Sequence, residues 1–176
     1  MNWCDASCLA LYFLPLTDAE LLHAFVALLV VVPILLDVCH EAGHYYAAKL
    51  CGIDSEEFAL GKGPAILRVG ATPSGCKLAL RVFPFGGRVT YDDRYRQVSY
   101  ARRAFMSAAG WMADVLVAIV VIAAAYLVGA TGPIATVVCG LVGFRVAFNL
   151  LPVTSDGRKT LRYLWLAAAE WVNTAK

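Results

Sequence analysis

The sequence predicts an all-α membrane protein with three core transmembrane helices. We expect a small β-hairpin or strand insertion on the cytoplasmic side and a C-terminal interfacial helix. Of the 176 residues, 60% are hydrophobic and only 16% are charged, whereas soluble domains carry about 25% charged residues. The mean hydropathy is +0.67. This length, with a few long apolar runs, predicts a single membrane-embedded domain over residues 1–176.

The first predicted element is a transmembrane helix over residues 20–50. Its core, residues 24–36, is an uninterrupted apolar run that can cross a bilayer together with its flanks. Residues 1–19 contain aromatic side chains but no Lys or Arg, which is not typical of a signal peptide. We expect this stretch to be a lead-in at the membrane interface.

Residues 51–103 have a different composition, because they mix acidic and basic residues with short apolar runs. Gly and Pro separate these runs, a pattern that predicts short strands and turns. The apolar runs lie at 58–60, 65–69 and 77–83. We expect Pro84 and the pair Gly86 and Gly87 to end the last strand.

Two further apolar segments, residues 104–128 and 133–151, predict the second and third spans. Each contains one ionisable residue, Asp114 in the second span and Arg145 in the third. A rise of 1.5 Å per residue places both at similar depth on antiparallel helices. An unpaired charge at that depth is costly, so we expect an Asp114–Arg145 ion pair. In the alternative, Asp114 faces a polar pocket and Arg145 extends to the cytoplasmic interface.

The remaining residues, 152–176, contain an Asp-Gly dipeptide followed by apolar side chains at helical spacing. This helix is short for a span and charged at its start, so we expect it to lie on the cytoplasmic interface.

Lys and Arg are distributed unevenly along the chain. They are absent before Lys49, frequent in 62–103, absent from 129–133 and frequent again from Arg158. The positive-inside rule then places the N-terminus outside and the C-terminus in the cytoplasm. We therefore expect an integral protein of the cell (inner) membrane, with residues 40–44 toward its cytoplasmic side.

A histidine motif lies at the end of the first span. His40 and His44 are four residues apart and share one helix face. Two imidazoles at that spacing can bind one zinc ion, and the adjacent Glu41 is placed to act as general base. The chain has only three histidines, and ionisable residues in an apolar segment are functional by default. Catalytic zinc sites take three protein ligands, so a third ligand is required.

Asp156 is a candidate for that third ligand. Pro152 breaks the third helix and Gly157 frees the backbone, so Asp156 is expected on irregular structure. A carboxylate is a natural zinc ligand. Alternatively, Asp156 caps the helix that begins near Arg158. The residues alone leave both readings open.

Four motifs occur in a fixed order along the chain. They are H-E-x-x-H at 40–44, F-x-x-G-x-G-P at 58–64, F-P-x-G-G-x-V at 83–89 and N-x-x-P-x-x-x-D-G at 149–157. Together they resemble the site-2 protease family of intramembrane zinc metalloproteases. The resemblance covers roughly residues 35–157, and the ordered combination is more specific than any one motif.

The resemblance implies one Zn²⁺ ion held by His40, His44 and Asp156, with Glu41 as the catalytic base. It also implies that Asn149 is a polar partner for the substrate or for the developing oxyanion. Residues that we expect to support the site structurally are Asp114, Arg145, Gly86 and Gly87.

Two features depart from the family pattern. Residues 110–114 read Gly-Trp-Met-Ala-Asp where members often have G-P-x-x-N, which weakens the case for substrate positioning by this helix. The link at 129–133 leaves no room for the PDZ domain that many members carry between these spans. We expect a minimal core whose gating comes from a regulatory membrane partner or from the substrate.

The implied function is intramembrane zinc-dependent endoproteolysis of a transmembrane substrate protein, near the cytoplasmic face of the bilayer. We expect the strands at 77–89 to bind the extended substrate by strand addition. Nothing indicates nucleic-acid binding, since the sequence has no basic cluster with interleaved aromatic residues. The alternatives are a catalytically inactive membrane adaptor and a zinc hydrolase acting on a non-peptide membrane substrate.

Overall fold

The computed structural model describes residues 18–70, 75–130, 132–151 and 154–174. These residues form four α-helices, two β-strands and one short 3-10 helix. In chain order the elements are α1 (Asp18–Leu50), β1 (Ser55–Val69), β2 (Lys77–Tyr91), the 3-10 helix (Asp93–Gln97), α2 (Tyr100–Leu127), α3 (Pro133–Leu150) and α4 (Ser155–Thr174). The predicted combination of apolar helices with a small sheet is confirmed. The predicted lead-in lies almost wholly outside the described residues.

Two helices are long and apolar enough to cross a membrane. In α1 the qualifying stretch is Phe25–Leu50, with 26 residues, and in α2 it is Tyr100–Leu127, with 28 residues. The apolar part of α3, Pro133–Asn149, is shorter. At 1.5 Å per residue, about 20 residues span the hydrocarbon core of a bilayer.

Helices α1 and α2 pack closely because small residues line their contact. Gly43 of α1 faces the backbone of α2, and a Cβ atom at Gly43 would lie 2.4 Å from the carbonyl oxygen of Ala109. Ala47 and Ala48 continue this face into a buried cluster with Met106 of α2. Small residues at helix contacts allow backbones to approach in apolar surroundings. The close approach brings the histidine face of α1 against α2.

A second apolar cluster holds α3 in place. Leu36 of α1, Ala118 of α2 and Val142 of α3 are buried together, with five valines around them. Helix α4 packs against α2, and Gly157 and Thr160 near its start are buried. The first turn of α4 is thereby fixed next to the polar part of α1.

The strands are longer than the sequence predicts. Instead of ending at Pro84, β2 continues to Tyr91, and β1 runs unbroken through the Gly61 region to Val69. Gly61 and Gly86 have φ angles of +87° and +77°, a region that glycine enters without steric cost. The prediction that Pro84 and Gly86 end the strand is therefore wrong, because these glycines bend the strands without interrupting them.

The bends give the antiparallel pair of strands an unusual register. Residues 57–60 pair on both sides, since Phe58 faces both Val89 and Leu78, and Leu60 faces both Gly87 and Leu80. Residues 87–90 have partners on one side only within the described part of the chain. This segment is consequently a sheet edge with one side of its backbone unpaired in the sheet, whereas residues 78–80 of β2 are paired on both sides.

The Gly43 contact generates a stability prediction. Gly43→Ala places a methyl group against the α2 backbone, and such overpacking costs about 1–3 kcal/mol. We expect a lower midpoint of thermal unfolding for the purified variant in detergent. Gly140→Ala in α3 is the matched control, because a Cβ atom there meets nothing within 4 Å. Equal loss of thermal stability in the two variants would show that the close contact of Gly43 with α2 does not determine the stability of the protein.

Candidate metal centre and active-site cavity

His40 and His44 lie one turn apart on the face of α1 that α2 and α4 cover, and both are buried. Each ring is oriented through Nδ1. The Nδ1–H of His40 donates to Asp114 Oδ2 at 2.7 Å, and that of His44 donates to the Met106 carbonyl at 2.7 Å. A proton on Nδ1 leaves the lone pair of Nε2 free, which is the usual arrangement of metal-binding imidazoles. Both rings are thus prepared to bind a cation through Nε2.

Asp156, in the first turn of α4, brings a carboxylate to the same point. Its Oδ2 atom lies 3.3 Å from His40 Nε2 and 3.5 Å from His44 Nε2. Tetrahedral zinc with bonds of about 2.0–2.2 Å separates its ligand atoms by about 3.3–3.5 Å. The three side chains therefore have the chemistry and the spacing of a zinc site, and their candidate donor atoms all lie within 4.8 Å of one another.

Gly110 of α2 provides the space between these ligands. A Cβ atom at this position would lie 2.4 Å from His44 Nε2 and 2.5 Å from His40 Nε2. Any side chain would therefore occupy the volume that both lone pairs face. In the sequence, Gly110 is notable only as part of a departure from the family pattern. Its role follows from the helix crossing, which no local sequence signal shows.

The alternative reading of Asp156 as a helix cap does not fit the contacts. Thr154 performs that task, because its Oγ1 accepts the backbone N–H of Gly157 at 3.1 Å. The Asp156 carboxylate is left to face the two histidines. Its nearest cation, Lys159 Nζ, is 3.9 Å away.

Glu41 is 7% exposed and faces a cavity of about 190 Å³ at the metal-ligand cluster. Strand β2 crosses directly above this residue, since a Cβ atom at Gly87 would lie 2.5 Å from Glu41 Cγ. Burial raises the pKa of Tyr91 in the cavity wall above its ordinary value. The remaining lining residues are His44, Arg88, Val89, Tyr95, Ser107, Ser155, Asp156 and Lys159.

Asn149 lies behind His40 and is absent from the cavity wall. Its Nδ2 donates to Asp114 Oδ2 at 2.6 Å, the same oxygen that accepts from His40. The structure therefore favours a supporting role for Asn149 over the predicted contact with substrate or oxyanion.

The predicted partners Asp114 and Arg145 approach each other, with 3.6 Å between Arg145 Nε and Asp114 Oδ2. The shorter ion pair of Arg145, however, is with Asp37 of α1, at 2.5 Å from Nη1 to Oδ1. Asp114 also accepts the Nδ1–H of His40, but it does not line the cavity, and Arg145 pairs within the bundle instead of extending to the interface. The contacts therefore differ from the alternative prediction as well. Asp37 is not among the predicted site residues, although an acidic residue next to an apolar run is a usable signal of a functional site.

A buried H-E-x-x-H helix, with a carboxylate brought to it by a distant segment, defines the class of zinc metallopeptidases. Residues 24–151 match the sequence profile of peptidase family M50. The chain belongs to this family, that of the site-2 proteases, as its motifs indicate.

Several characterised or named proteins are similar to parts of the chain. A candidate zinc metalloprotease of Pasteurella multocida is 32% identical over 121 residues, which is 61% of this chain and 27% of that protein. Protease RseP of Yersinia pestis is 30% identical over 123 residues, 62% of this chain and 27% of RseP. The chloroplastic membrane metalloprotease ARASP of Arabidopsis thaliana is 41% identical over 56 residues, 32% of this chain and 12% of ARASP. The chain thus spans about a quarter or less of these relatives.

The position of Gly110 predicts the effect of one added methyl group. We expect Gly110→Ala to weaken zinc binding, because overpacking of about 1–3 kcal/mol corresponds to roughly a 5- to 150-fold loss of affinity. Metal content of the purified protein, measured by mass spectrometry against a zinc-buffered series, checks this. Gly143→Ala is the control, since a Cβ atom there meets nothing within 4 Å. Unchanged zinc affinity in Gly110→Ala would contradict the inference that Gly110 leaves room for the metal ion beside the two histidines.

A second prediction distinguishes a zinc-ligand role of Asp156 from a helix-capping role at the start of α4. Asp156→Asn should lose most of the bound zinc, because the neutral amide is a poor replacement for a carboxylate ligand. Thr154→Ala should keep zinc and lose only about 1 kcal/mol of helix stability. Zinc content and thermal unfolding of both variants decide the matter. Full zinc occupancy in Asp156→Asn would remove Asp156 from the ligand set.

Proposed function

We propose that the protein is an intramembrane zinc metalloendopeptidase that hydrolyses a peptide bond within or near a transmembrane segment of a substrate protein. The observation that carries the proposal is the convergence of His40, His44 and Asp156. It occurs at a cavity that Glu41 also lines, beneath an open strand edge. Membership of peptidase family M50 supports the hydrolytic chemistry.

The helix surfaces support a location in the bilayer. Only 22% of the apolar stretch of α1 and 28% of that of α2 are buried within the protein, and many of their Val, Leu and Ile side chains are exposed. Exposed apolar surface on this scale requires an apolar surrounding. We infer three spans, α1 to α3, with the N-terminus outside, the C-terminus in the cytoplasm and the site toward the cytoplasmic side of the cell (inner) membrane.

Helix α4 complements this arrangement. Its outward face carries Leu161, Leu164, Trp165 and Trp171, which are 52–72% exposed, while Arg158 and Arg162 lie near its start. A basic helix start with aromatic and aliphatic side chains on one face is typical of helices on the membrane surface. Lipid is therefore the proposed surrounding of this face, and a regulatory membrane partner remains part of the proposal.

When bound, zinc supplies Lewis-acid polarisation of the scissile carbonyl and lowers the pKa of water in the site. The residues of the chain perform the remaining tasks. Glu41 accepts a proton from the attacking water and returns it to the leaving nitrogen as the bond breaks. Asp114 and the Met106 carbonyl keep the two imidazoles in the required tautomer and orientation.

The strand edge at residues 87–91 is the proposed binding place of the substrate backbone. A helical substrate has its carbonyls tied in i→i−4 bonds and must become extended before attack, and an open sheet edge stabilises that extended form by strand addition. Gly87 holds this edge directly above Glu41. Residues 78–80, which belong to the predicted substrate-binding strands at 77–89, are paired on both sides and are not part of this proposal.

Glu41→Gln tests the proposed chemistry. The variant keeps every metal ligand and loses the base, so zinc content should be unchanged while cleavage falls by about 100- to 10,000-fold, the usual contribution of a general base. Cleavage of a co-reconstituted single-span substrate, followed by gel electrophoresis, measures this. Wild-type rates in Glu41→Gln would end the protease proposal, and a wild type with zinc but no peptidase activity on any substrate would favour the adaptor or the non-peptide hydrolase.

A further inference from the structure

Two charged side chains within the helix bundle, one buried and one half-buried, have no part in binding zinc or in the proton transfer. Asp37 is 4% exposed and belongs to α1, and Arg145 belongs to α3. Replacing a buried ion pair by apolar side chains is often neutral or even stabilising. Stability alone therefore gives no sufficient reason for a charge pair in such apolar helices.

The second carboxylate oxygen of Asp37 connects the Asp37–Arg145 pair to strand β2. While Oδ1 pairs with Arg145, Oδ2 accepts the backbone N–H of Gly86 in strand β2. Gly86 is the bend with a φ angle of +77°, and the open edge at 87–91 begins with the next residue. One carboxylate therefore connects α3, α1 and the first residue before the strand edge.

The location of Asp37 relates this connection to the reaction. Asp37 precedes Glu41 by one helical turn and shares its face of α1. The edge strand lies in contact with Glu41 at Gly87. The hydrogen bond between Asp37 and Gly86 consequently fixes the distance and the orientation of the strand edge relative to Glu41. Arg145 orients the carboxylate from the opposite side, and its Nε also lies 3.6 Å from Asp114 Oδ2.

We infer that Asp37 and Arg145 are positioning residues that align the substrate-binding strand edge with Glu41. The inference rests on the proposed function, because it assigns the strand edge a substrate. Neither residue touches the metal ligands' Nε2 atoms or the cavity. Their loss should therefore weaken recognition of an extended peptide and leave metal binding unchanged.

Two hydroxamates distinguish these effects in zinc-loaded full-length protein in detergent. Acetohydroxamate reaches only the metal, whereas a peptide hydroxamate reaches the metal and the strand edge. We expect Asp37→Ala, which removes the acceptor for the Gly86 N–H, to bind the peptide hydroxamate about 10- to 100-fold more weakly, since each backbone hydrogen bond lost at a misplaced edge weakens binding roughly 2- to 10-fold. Its affinity for acetohydroxamate and its zinc content should equal those of the wild type.

A second variant keeps the test decisive if Asp37→Ala does not fold. Asp37→Leu combined with Arg145→Met replaces the ion pair by apolar side chains, which buried sites commonly tolerate, and still removes the acceptor for Gly86. The same selective loss of peptide hydroxamate binding in this double variant supports the inference. Wild-type affinity for the peptide hydroxamate in either folded variant overturns it.

Two other outcomes also count against the inference, for different reasons. Loss of zinc or of acetohydroxamate binding in the variants would mean that the pair maintains the metal centre and does not position the strand. Failure of zinc-loaded wild type to bind either hydroxamate would overturn the proposed function itself, and with it the substrate assigned to the edge.

Discussion

The site depends on the pairing of charges buried among apolar helices. Asp114, which is 1% exposed, shares its Oδ2 among the Nδ1–H of His40, the amide of Asn149 and the approaching guanidinium of Arg145. An unpaired carboxylate in such surroundings is strongly disfavoured, so these contacts fix α1, α2 and α3 relative to one another. The orientation of His40 is a direct consequence of this shared oxygen.

Close approach of backbone is the second constraint, and glycine meets it at three places. Gly43 lets α2 touch α1, Gly110 leaves room between the two Nε2 atoms, and Gly87 lets β2 cross above Glu41. The candidate metal ligands, the proposed base and the strand edge therefore lie close together because glycine at these three positions permits close packing. Each of these positions has a Cβ site less than 3 Å from an atom of the site or its support.

The same arrangement separates the tasks of the sheet and the helices. The helices supply the buried, oriented groups of the proposed metal site and the proposed base, which tolerate little movement. The sheet supplies backbone hydrogen-bonding groups, of which the free ones lie at residues 87–91 beside the cavity. A substrate strand added there lies within reach of Glu41, whereas the opposite edge, at residues 65–69, is not part of the cavity.

The sequence by itself determined the apolar helices and the histidine motif, because these follow from apolar run length and i to i+4 spacing. It left Asp156 open between metal ligand and helix cap, and only the ordered motifs favoured the ligand. Local breaker signals misjudged the strands, since positive-φ glycines bend a strand as readily as they end it. Tertiary structure alone decided that Arg145 pairs with Asp37, that Asn149 lies behind His40 and that Gly110 leaves the ligands room. Each of these depends on which helix faces meet, and a single sequence does not encode the crossing of distant segments in any local pattern.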